Sequence, residues 1–87
     1  MKQNPDFLLR EVADSLVLVP VGEATTQFPG MITMNATSKY LWELLSREQT
    51  AESLTQALLD RYDVTREQAA EDVAAFLEKL TPTGAIL

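Results

Sequence analysis

The chain has 87 residues, 46% of them hydrophobic, with no cysteine, no histidine and a formal charge of −6. That length supports one domain around one modest core, and the missing residue types exclude disulfides, thiol nucleophiles, imidazole general bases and zinc sites of the usual ligand type. The acidic balance argues against non-specific attraction to nucleic acid or anionic lipid, which need clustered Lys and Arg.

Residues 1–6, MKQNPD, are polar and carry a proline, and are expected to form a loose terminus on a single 1–87 domain. Phe7 to Ala13 alternates as a half-buried first strand, Asp14-Ser15 supplies a tight turn, and Ser15 to Val21 is a second strand with Pro20 near its end. Gly22 to Gln27 reads as a polar loop. Pro29-Gly30 is turn chemistry, and Gly30 to Met34 follows as the shortest strand, with Ile32 and Thr33 at its centre. At Asn35 the period changes. Asn35 is a favoured helix N-cap, and Ala36, Tyr40, Leu41, Leu44 and Leu45 then recur at helical spacing, giving a first helix to about Ser46. Thr50 opens a second helix with Ala51, Leu54, Leu58 and Tyr62 on its apolar stripe. Thr65 and Gln68 have capping-box spacing at the head of a third, which carries Ala69, Val73, Phe76, Leu77 and Leu80 on one face. Pro82 and Gly84 stop it, and Ala85-Ile86-Leu87 can pack back as an extended piece. Three antiparallel strands followed by three helices form an α+β pattern of winged helix-turn-helix type.

The longest apolar run, Leu16 to Val21, is far shorter than the roughly 20 residues of a membrane span. Asp6, Arg10, Glu11 and Asp14 occupy the stretch where a signal peptide needs its apolar centre. A cytoplasmic location is therefore expected, with no membrane partner.

Few features carry chemistry. Asp14-Ser15-Leu16 matches the triplet that accepts phosphopantetheine in acidic carrier proteins, but such a serine opens a helix, and Ser15 leads into the β-branched SLVLVPV. A DNA-binding winged-helix regulator is the other alternative; its third helix would need a basic face, yet Arg66 and Lys79 stand against Glu67, Glu71, Asp72 and Glu78. Trp42, Met31 and Met34 suit core packing better than a ligand platform. Glu71 and Asp72, adjacent on a helix, point about 100° apart and cannot flank one substrate atom. No catalytic set, metal site or cofactor requirement emerges, and the reading is of a non-enzyme.

The segments LLREVADSLVLVPVGEA, GMITMNATSKYLWELL, TAESLTQALLDRYDVTREQAAEDVAAFLEKL and the closing GAIL together resemble the PqqD-like proteins, small peptide chaperones named after the pyrroloquinoline-quinone pathway. The most specific parts are the Gly30-Met31-Ile32 to Asn35 junction, the Leu58 to Tyr62-Asp63-Val64 segment, and Ala70-Glu71-Asp72-Val73 to Phe76-Leu77. The resemblance implies a winged helix-turn-helix domain that recognises the leader of a ribosomally made precursor peptide and presents it to a modifying enzyme, commonly a radical S-adenosylmethionine enzyme. It further implies that the leader adds as a strand to the third strand, here Gly30, Met31, Ile32, Thr33 and Met34. The groove wall would then come from the third helix around Ala70, Val73, Ala74 and Leu77. Quinone-pathway members carry an Asp-Gly turn after the first helix where this chain has Ser46-Arg47-Glu48-Gln49, so the client need not be the quinone precursor.

Overall fold

The computed structural model describes residues 1–87. The chain runs β1 (Phe7–Val12), β2 (Ser15–Pro20), a single helical turn α1 (Ala24–Gln27), β3 (Ile32–Met34), α2 (Ala36–Leu44), α3 (Ala51–Arg61) and α4 (Arg66–Leu80), closed by a 3-10 turn at Thr81–Thr83. The three strands form one antiparallel sheet in the order β1-β2-β3, so the α+β, winged-helix order implied by the sequence is the one observed.

Within that frame several boundaries move, each for a local reason. Val12 pairs with Ser15 across the first hairpin, so the turn residues are Ala13 and Asp14, one position earlier than expected. The Gly22 to Gln27 segment is not all loop. Thr25 and Thr26 donate their hydroxyls back to the carbonyls of Gly22 and Glu23, both at 2.7 Å, and Ala24 anchors the turn in the core. β3 starts at Ile32 rather than Gly30. Extending the Leu18–Ile32 register by two residues sets Gly30 opposite Pro20, which has no N–H to give to a ladder.

The inner face of the sheet, Phe7, Leu18, Ile32 and Met34, is covered by Leu41, Trp42 and Leu45 of the α2 region, Leu54 and Leu58 of α3, and Val73, Phe76 and Leu80 of α4. Helix starts are fixed as the sequence indicates. Asn35 Oδ1 accepts from Ser38 N at 2.8 Å, Thr50 Oγ1 from Ser53 N at 3.0 Å, and Thr65 Oγ1 from Gln68 N at 3.1 Å. The reciprocal capping box forms at Thr50 and Ser53. At Thr65 only half of it forms, because Gln68 Nε2 donates to Asp72 Oδ1 instead, at 2.8 Å.

The first residues are pinned, not loose. Lys2 and Leu87 exchange backbone hydrogen bonds at 3.1 and 2.8 Å, Asn4 N donates to Ala85 O, and Gln3 N donates to Leu45 O. Gln3 Nε2 and Asn4 Nδ2 add bonds to the carbonyls of Trp42 and Gly84. The cause is the closing Ala85-Ile86-Leu87 segment: it runs extended, buries Ala85 completely, and offers unpaired peptide groups that residues 2–4 satisfy.

Candidate functional site

β3 pairs with β2 on one side only, and its phase decides what the other side offers. Val21 N donates to Asp6 O at 2.7 Å, so the odd-numbered residues of the β2 segment turn their peptide groups toward β1. In an antiparallel ladder alternate residues face opposite neighbours. Leu16 and Leu18 therefore face β3, and their partners Met34 and Ile32 spend their N–H and C=O groups on β2. Thr33 is left with both peptide groups aimed at the open edge. Its side chain is exposed on the outer face of the sheet, while Ile32 and Met34 are buried beneath.

Beside this rung lies a cleft of about 250 Å³. Asn35, Thr37 and Ser38 at the start of α2 form one wall, and Asp72, Ala75, Phe76 and Lys79 of α4 form the other, with Leu41 between them. Leu41 and Phe76 are core residues that give the cleft an apolar floor, and the rest of the lining is polar or small. Lys79 Nζ donates to the outward carbonyl of Thr33 at 2.6 Å, bridging cleft and edge.

The residues expected at the site divide. Thr33 carries the open rung, and Gly30 and Met31 are exposed just ahead of it, Met31 with 63% of its surface free. Ile32 and Met34 are core side chains whose backbone is committed to β2. On α4, Val73 is only 2% exposed and Leu77 packs partly against the core. Ala70 and Ala74 are exposed but do not line the cleft. The reason is rotational. Ala69, Val73, Phe76 and Leu80 point into the core, and the flank turned toward β3 is the neighbouring stripe at 72, 75, 76 and 79. Of the lining residues, Asn35, Asp72 and Phe76 fall within the segments that carry the family resemblance but not among the expected groove residues, and Ala75 and Lys79 have no sequence signal for the cleft. Asn35 was visible as a cap, but the helix wall needed the packing angle of α4.

Neither alternative fits this geometry. Ser15 opens β2 opposite Val12, so no helix begins at the carrier triplet. Both cations of α4 are engaged within the chain, Arg66 with Glu52 at 3.0 Å and with Gln56, and Lys79 with Thr33, which leaves that helix an acidic surface.

Fold and cleft define a small α+β winged-helix module with one open sheet rung beside a groove. The sequence profile described as Coenzyme PQQ synthesis protein D (PqqD) matches residues 15–86. The chain belongs to the PqqD family. No curated protein matches it. Among solved structures it is similar to the one described as TbiB1 in complex with the TbiA(beta) leader peptide, with a TM-score of 0.74 and 22% identity over 98% of this chain and 93% of that one. It is also similar to the one described as lasso peptide synthetase B1 complexed with the leader peptide, with a TM-score of 0.73 and 22% identity over 99% and 95% of the two chains. At that identity the likeness carries the fold.

Proposed function

We propose that this protein is a non-catalytic recognition element that binds the leader of a ribosomally made precursor peptide by strand addition and presents it to a modifying enzyme. The observation that carries the reading is the outward N–H and C=O of Thr33, the carbonyl held only by the Lys79 ammonium, beside a cleft of about 250 Å³. An extended segment docks on such an edge through main-chain bonds and takes its specificity from side-chain pockets. Membership of the PqqD family and the leader peptides in the two similar structures support it. The partner enzyme is of the class that modifies such peptides, a radical S-adenosylmethionine enzyme being the one we favour.

Magnitudes decide where the affinity comes from. One rung offers two backbone bonds, each worth about 0.5–1.5 kcal/mol net, whereas micromolar binding needs roughly 8 kcal/mol. Leader side chains buried in the cleft must therefore supply the larger share.

Titrating the isotope-labelled chain with the leader of the precursor encoded beside its gene tests this. Amide shifts are expected at Thr33, Asn35, Ala75 and Phe76, with little change at Ala70 and Ala74. Thr33→Pro removes the outward donor while leaving the β2 ladder intact, so binding is expected to fall by more than tenfold with a stability change under about 1 kcal/mol. Normal binding by a folded Thr33→Pro protein sinks the strand-addition reading.

A further inference from the structure

We infer that Lys79 is a displaceable latch on the open rung and, once displaced, the residue that selects a carboxylate on the incoming strand. This rests on the strand-addition reading. The outward carbonyl of Thr33 is the acceptor an added strand must use, and Lys79 Nζ already holds it at 2.6 Å. A peptide that takes the rung brings its own N–H to compete with that ammonium for the carbonyl.

The displaced ammonium has nowhere distant to go. Its backbone is fixed in α4 and its side chain lines the cleft beside Phe76, so it stays against the strand it has admitted. Nothing in the chain neutralises it there. The two ion pairs of the protein are Met1–Glu48 and Arg66–Glu52. Asp72, the other charged group of the cleft, sits two turns or roughly 10 Å away along α4, and its carboxylate already accepts from Gln68 Nε2. A lone cation beside a bound strand favours an opposite charge from the ligand. The overall charge of −6 makes that preference local. Lys79 is the one cation lining the cleft, so the carboxylate belongs near the position opposite Thr33.

A displayed library of random twelve-residue peptides, selected on the wild-type chain and on folded Lys79→Glu and Lys79→Met variants, tests the inference. The wild type is expected to enrich Asp or Glu at one position of an otherwise apolar and polar consensus. Lys79→Glu should convert that position to Lys or Arg and leave the others unchanged, and Lys79→Met should lose the preference. A synthetic consensus peptide with its acid amidated should bind the wild type roughly three- to tenfold more weakly and bind Lys79→Met as before. The same acidic position on wild type and Lys79→Glu would overturn the role of Lys79 alone. Enrichment on neither protein would overturn strand addition and this inference with it. In the ligand-free chain, Lys79→Met should move the Thr33 carbonyl carbon resonance and spare those of Ile32 and Met34; an unmoved Thr33 signal removes the latch.

Discussion

Ala13 occupies the left-handed region, with φ at 55°, where a Cβ costs about 1–2 kcal/mol. It does so because the hairpin closes on Val12 and Ser15 with two turn residues between them, and a two-residue antiparallel connection needs a positive φ. Glycine tolerates that conformation but adds freedom to the unfolded chain, an offset of about 0.4–1 kcal/mol. Ala13→Gly is therefore expected to stabilise the fold by about 0.5–1 kcal/mol, read as a higher urea midpoint at unchanged slope; a lower midpoint contradicts the strain. No feature of the residue names flagged this position. Alanine is absent from turn signatures, so the turn is more naturally set on Asp14-Ser15.

At the scale of elements, the rotation of α4 sets everything about the cleft. Ala69 is completely buried, whereas Ala70 is exposed. Leucine is nearly as good a helix former as alanine, so Ala69→Leu and Ala70→Leu differ only in where the added bulk lands. The first is expected to cost about 1–3 kcal/mol by overpacking and the second less than about 0.5 kcal/mol, both by chemical denaturation; equal effects would mean that α4 is turned otherwise. Much of the architecture was legible because its signals are local. Asn35, Thr50 and Thr65 mark helix starts by a side-chain bond within one turn, and alternation marks β1 and β2. The turn at Ala24–Gln27 was not legible: it is four residues long, half of them β-branched, and threonine hydroxyls hold it on carbonyls outside the helix. The wall of the cleft escaped for a different reason. The buried stripe of α4 can be read from spacing, but which of its two flanks meets β3 depends on contacts 46 residues apart, as between Thr33 and Lys79.

For the whole molecule, the ends of the chain act as a clasp. Residues 2–4 bond to the backbone at Trp42, Leu45, Gly84, Ala85 and Leu87, tying the hairpin entrance to the end of α2 and to the segment after α4. Deleting residues 1–4 removes these bonds and opens the cover on Ala85. At about 0.5–1.5 kcal/mol for each bond, and allowing for incomplete additivity, a loss of about 2–4 kcal/mol is expected, a drop of roughly 10–25 °C in melting temperature for a domain of this size. A truncated chain that melts like the full one would show the clasp to be idle.

The short run of β3 has one more effect, on how copies of this protein treat one another in solution. An uncovered strand is a template on which identical chains can stack into aggregates. Here Pro20 denies the strand its first rung, Asn35 gives its carbonyl to the amide of Lys39 in α2, and a lysine covers the single rung between. Copies meeting edge to edge would gain one pair of bonds at the cost of bringing two ammonium groups together. Solubility and receptiveness thus share the same three residues: the edge is long enough for a client that brings its own anchors and too short for a twin that brings none.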